Sequence, residues 1–176
     1  MTISLAGCGG VAHANRNIAF MGDSITNFWW LPETNYGVPG DVTSQMLARF
    51  PSQVLGHHYK AVVILGGTND MRHKTQTVPQ EVDLAISNLQ AMAAMAESEK
   101  MVVVLCTIPP IRNLNERVVP LNQAIEALAQ EHHYKLVDYF TPMVGHPEYF
   151  RDGLHPSDEG YFVMQQALAK VLPLDY

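Results

Sequence analysis

Cysteine is scarce in this chain: of 176 residues, only Cys8 and Cys106 carry a thiol. Two cysteines do not build a disulfide framework, so the fold must rest on its core. Cys106 lies in an apolar run and reads as part of that core. Positive charge is also in short supply, with 11 Lys and Arg against 17 Asp and Glu and a net charge of −6. No basic block occurs, which argues against nucleic acid or an anionic membrane as a partner. No apolar run approaches the ~20 residues of a membrane span. A glycine-rich phosphate loop and a dinucleotide fingerprint are both missing. The histidine pairs His57-His58 and His132-His133 precede strands, and no Cys/His/carboxylate set has the spacing of a metal site.

What is present fits one globular domain: 47% hydrophobic and 16% charged residues over a length that buries a full core. Residues 1–16 read as a leader, or as the remnant of a signal segment, ahead of a domain spanning 17–176. Leu5-Ala6-Gly7-Cys8 is similar to a bacterial lipoprotein cleavage box, and Ala12-His13-Ala14 has signal-peptidase spacing. A basic region and a full apolar stretch are missing before them. The expectation is an exported origin, periplasmic or lipid-anchored in a bacterium, and otherwise a cytoplasmic one.

The stretch that organises the chain is Asn17 to Asn27, where the apolar run Ile18-Ala19-Phe20-Met21 breaks into Gly22-Asp23-Ser24. A buried strand ends this way when it delivers a small polar group to a sheet edge. Ser24 then falls in a first turn rich in free N–H groups, a candidate nucleophile if a base is found elsewhere. Taken alone, Asp23 or Ser24 reads equally well as a helix cap. The aromatic run Phe28-Trp29-Trp30 follows, either as packing or as a wall for an acyl or sugar group. A turn-rich loop around Gly37 and Gly40 leads into a helix opening at Thr43.

The second buried strand, Ala61 to Leu65, also ends in glycine and short polar residues, Gly66-Gly67-Thr68-Asn69-Asp70. Asn69 there is either a turn residue or an amide donor aimed into a site. Arg72 to Thr77 reads as a polar loop. A long amphipathic helix starts at Val78, with Val82, Ile86, Leu89, Met92 and Met95 on one face. A strand over Met101 to Thr107, a helix over about Val118 to His133 and a short strand at Lys135 to Asp138 come next. The final helix follows Ser157 as N-cap, its apolar positions including Phe162, Val163, Ala167, Leu168 and Val171. Just before it, Asp152 and His155 lie three apart in a loop, so a carboxylate can reach one imidazole nitrogen while the other points away.

Alternating strands and helices predict an α/β fold: a single-domain, flavodoxin-like three-layer sandwich with a mainly parallel five-stranded sheet. Right-handed crossovers bring the strands' C-terminal ends to one edge, where Ser24, Gly40, Asn69 and the Asp152/His155 loop converge.

At this point the sequence resembles the SGNH hydrolases, the GDSL esterase/lipase family. The blocks are Gly22-Asp23-Ser24-Ile25-Thr26, then Asn35, Gly37, Gly40 and Thr43 in one loop, then Gly67-Thr68-Asn69-Asp70, then Asp152-Gly153-Leu154-His155-Pro156. The resemblance implies Ser24 as nucleophile, His155 as base and Asp152 as its orienting carboxylate. It implies an oxyanion hole from the Ser24 and Gly40 N–H groups and the Asn69 side-chain amide, with Gly37 as a rival to Gly40. It also implies an acyl-enzyme and no metal or organic cofactor. The gap from Ser24 to the glycine block is short, so the strand near Thr34-Asn35-Tyr36 must be brief. A Gly-x-Ser-x-Gly elbow is missing, which separates the chain from the α/β-hydrolases.

The chain leaves no room for a lid domain, which favours short acyl groups, acetylated carbohydrates among them. Phe28, Trp29 and Trp30 are the candidate substrate contacts. The runner-up is a lysophospholipase or thioesterase. A non-catalytic binding module and a phosphate-binding protein are the readings outside the class. The first would not need Ser24, Asn69, Asp152 and His155 together, and the acidic balance without a nearby Lys or Arg cluster counts against the second.

Overall fold

The computed structural model describes residues 17–31, 34–74 and 76–172. Residues 1–16, with Cys8 and the expected leader, lie outside them. Among the described residues the strands are β1 (Ile18–Gly22), β2 (Asn35–Gly37), β3 (Ala61–Leu65), β4 (Val102–Cys106) and β5 (Lys135–Val137). They form one five-stranded sheet in the order β2-β1-β3-β4-β5, every pairing parallel. This is the flavodoxin-like order, with its switch point between β1 and β3.

The helices are α1 (Ser24–Asn27), α2 (Thr43–Val54), α3 (Thr68–His73), α4 (Val78–Ser98), α5 (Asn115–Glu131) and α6 (Asp158–Val171). The chain steps one way from β1 to β2 and the other way from there to β5. Right-handed crossovers therefore put α1 on the face opposite α2, α4 and α5. The α2–α4 and α4–α5 pairs pack together on that second face. On the first face α6 meets α1, where the Tyr161 hydroxyl donates to the Ile25 carbonyl at 2.8 Å.

Strands covered on both faces have no side for polar residues, and β1 and β3 are buried at every position. The register sets Gly22 level with Gly37 on one side and Leu65 on the other. Three strand ends are thus flush at the switch point. Cys106 is buried and free, as its apolar run implied.

Two elements depart from the sequence reading. The start of the expected polar loop is helical: α3 runs through Arg72 and His73, capped by Gly67. Asp70 in its first turn and the two basic residues in its last suit the helix dipole. On α6 the inward face is Tyr161, Met164 and Leu168, and Phe162 is exposed. Tyr161 lies one position earlier and claims the core because its hydroxyl finds a carbonyl there.

Candidate active site

β1 hands the chain to α1 through Gly22-Asp23-Ser24. A Cβ on Gly22 would lie 2.0 Å from Thr26 Oγ1 and 2.8 Å from the Leu65 carbonyl. Only glycine lets the turn close this tightly against β3. Asp23 caps α1, its carboxylate accepting the Ile25 N–H at 2.8 Å. Its other oxygen and the Thr68 hydroxyl are buried without a well-formed hydrogen bond. Burial lifts this carboxyl to about 6, although the Ile25 N–H, Thr68 and His155 all favour the ionised form.

Ser24, only 6% exposed, stands 3.0 Å through Oγ from His155 Nε2, across 131 residues of chain. His155 Nδ1 lies 2.7 Å from Asp152 Oδ2. The other Asp152 oxygen accepts the N–H groups of Leu154 and His155. Partial burial pushes the Asp152 carboxyl up. The bonds from the His155 ring and the two backbone N–H groups outweigh it and hold the group at about 2. An ionised carboxylate only accepts, so the proton of the neutral ring sits on Nδ1 and Nε2 faces the serine as an acceptor. That arrangement can draw a proton from the hydroxyl.

The loop carrying this pair is pinned at both sides. Arg151 N–H donates to the His155 carbonyl at 2.8 Å, and Phe150 bridges Pro156. From the connection between β4 and α5, Arg112 donates its backbone N–H to Gly153 and its guanidinium to the Asp152 carbonyl, at 2.9 and 2.7 Å. Gly153 takes a φ of +84° beneath the Arg112 side chain, where a Cβ would meet guanidinium atoms under 3 Å away.

Gly40 is exposed in its loop and Asn69 is 2% exposed on α3. The Asn69 amide donates to the carbonyl of Asp41, the residue after Gly40, at 2.9 Å. Its oxygen accepts from Arg72 at 3.1 Å. Two further braces hold these loops. Arg49 on α2 donates to Gly22 and Tyr36 carbonyls, to Gln53 and to the Asp41 carboxylate at 2.7 Å. Asp70, its carboxyl raised by burial, accepts both the N–H and the hydroxyl of Thr43, which in turn accepts from Asn88.

The three aromatic candidates separate. Phe28 is exposed and sets its ring edge-on to His155, with centroids 5.3 Å apart. Trp30 is exposed and leans on Tyr161. Trp29 turns into the core between Phe20, Tyr139 and Tyr161 and is 4% exposed. Sequence reasoning missed Arg49, Arg72 and Arg112. For Arg72 a signal existed, since a helix over this segment would have placed it one turn after Asn69. Among the described residues no group of three or more His, Cys, Asp or Glu could hold a metal ion.

A doubly wound parallel sheet of flavodoxin-like order carries a serine, a histidine and an aspartate in one hydrogen-bonded row beside its switch point. Residues 20–163 match the model of the GDSL-like lipase/acylhydrolase family, and the chain belongs to that family. A GDSL-like lipase from Bacteroides thetaiotaomicron is similar in structure, with a TM-score of 0.78, 30% identity and coverage of 89% of this chain and 87% of that one. A lipase/acylhydrolase from Enterococcus faecalis gives 0.70 at 26% identity, covering 89% and 97%. An acetylxylan esterase from Geobacillus stearothermophilus, solved as a catalytic mutant, shares the fold at 0.73 and 18% identity, covering 87% and 92%. No curated protein matches this chain.

Proposed function

We propose that this protein is a serine esterase that removes short acyl groups, from carbohydrates among other alcohols, through an acyl-enzyme. The observation that carries the reading is the row Asp152–His155–Ser24, with contacts of 2.7 and 3.0 Å. Ser24 Oγ attacks the ester carbonyl while His155 Nε2 takes its proton. Asp152 stays ionised and steadies the imidazolium. The carbonyl oxygen, now negative, is met by the N–H groups of Ser24 and Gly40 and by the second N–H of the Asn69 amide. Collapse of the tetrahedral intermediate expels the alcohol, protonated by His155, and water then releases the acid by the same steps.

Two features support a small substrate. Phe28 sets its ring against His155, and its neighbours Ile25 and Trp29 are buried in the core, so no deep acyl tunnel opens under them. A cavity of about 280 Å³ flanks the Asp152–Gly153 turn, lined by Ile111, Arg112, Met143 and Phe150, room for a sugar-sized alcohol. The exposed rings of Phe28 and Trp30 favour the second reading, a lysophospholipase or thioesterase that lays a longer chain across them.

An acyl-length series from acetyl to palmitoyl p-nitrophenyl esters, run beside acetylated sugars, tests the assignment. The expected outcome is highest kcat/KM at acetyl. A maximum at eight carbons or more overturns the short-chain reading in favour of the second. Ser24→Ala should lower kcat by about 10⁴-fold or more, and retention of activity overturns the nucleophile.

A further inference from the structure

The carboxamide of Asn69 is held through one of its two N–H donors and through its oxygen. One N–H is spent on the Asp41 carbonyl at 2.9 Å, and the oxygen accepts from Arg72 at 3.1 Å. Only the second N–H remains to face an ester oxygen. The Arg72 contact differs in kind from the other. Its donor is a full positive charge, placed one helical turn along α3 from an amide that is itself 2% exposed. A charged donor on an amide oxygen draws electron density from the nitrogen, and each N–H becomes a better donor. The effect grows as negative charge builds on the oxygen in the transition state, so it acts on rate more than on binding. Nearby carboxylates are engaged elsewhere: Asp41 with Arg49, Asp70 with Thr43 and Glu81 with Arg117.

From this geometry we infer that Arg72 is an electrostatic positioning residue, strengthening Asn69 as an oxyanion donor through its side-chain oxygen. The inference rests on the proposed role of Asn69. It assigns to a solvent-exposed arginine, on a segment whose sequence reads as a loop, a part in the chemical step.

The test compares Arg72→Met, Arg72→Gln and Arg72→Lys on p-nitrophenyl acetate, alone and in an Asn69→Ala background, with thermal unfolding as a check on folding. Arg72→Met should lower kcat about tenfold with KM changed less than twofold. Arg72→Lys should recover most of the loss. Arg72→Gln, which keeps a donor but no charge, should not. In the Asn69→Ala background Arg72→Met should cost nothing further. Wild-type kcat in Arg72→Met overturns the inference, and so does full recovery by Arg72→Gln or an undiminished loss without Asn69. If Ser24→Ala or Asn69→Ala leaves kcat intact, the functional reading itself fails. If both lower it and Arg72→Met does not, only the role of Arg72 falls.

Discussion

Asp23 is fully buried one residue before Ser24, and burial lifts its carboxyl from 3.8 to about 6. The native state therefore holds this proton more tightly than the unfolded chain does. The resulting stability is complete below 3.8 and is lost as pH rises through about 6. Asparagine keeps an acceptor for the Ile25 N–H without the charge. Relative to Asp23→Asn, the wild type should lose up to about 3 kcal/mol across that window, read by urea unfolding at a series of pH values. A difference that does not change with pH would rule out the buried charge as its source. Ser24 and Asn69 were legible as candidates because each follows an apolar run that breaks into glycine, and Asp152 and His155 because they lie three apart in a loop; only their convergence on one sheet edge raised them above caps and turns. Arg112 and Arg49 were not legible, because the ties they make to the site loops include backbone carbonyls, which leave no pattern in the sequence.

Among the elements, α2 does more than cover the sheet. Its Arg49 ties the end of β1, the strand β2 and the Asp41 loop into one unit, with the ion pair to Asp41 largely shielded from water. Arg49→Met would leave the Asp41 carboxylate without its partner and three oxygens without their donor. The expected cost is about 3 kcal/mol of stability. Activity should fall beyond what unfolding explains, since the loop that carries Gly40 loosens. Denaturant melts and kcat measured at low temperature separate the two effects. Strand β1 was readable from its continuous apolar run, and β3 and β4 from runs rich in β-branched residues. The helix α3 was not, because its six residues are too few for an apolar period and its cap is a glycine without a side-chain signal. On α6 Leu168 is buried and Val163, Ala167 and Val171 pack against the core as read, and Phe162 alone among the positions read is exposed, because Tyr161 and Phe162 are adjacent and hydrophobicity alone does not rank them.

Taken as a whole, the molecule gathers its site from ends of the chain that are far apart. The order 2-1-3-4-5 was foreseeable only as a class, since alternation of strands and helices implies parallel pairing without stating which strand lies at the edge. Because each strand pair closes a long loop, the sheet forms from non-local contacts and refolding should be slow. After dilution from urea, hydrolysis of p-nitrophenyl acetate should return together with, or after, the far-UV signal of the helices. Activity that precedes it would mean that the site assembles without the sheet.

The separation of 131 positions from Ser24 to His155 carries a consequence for synthesis. Under the proposed mechanism the serine leaves the ribosome early and stays inert until its histidine follows. Nascent and prematurely terminated chains therefore cannot attack the esters around them, and reactivity is granted only to a polypeptide that has been made almost to its last helix.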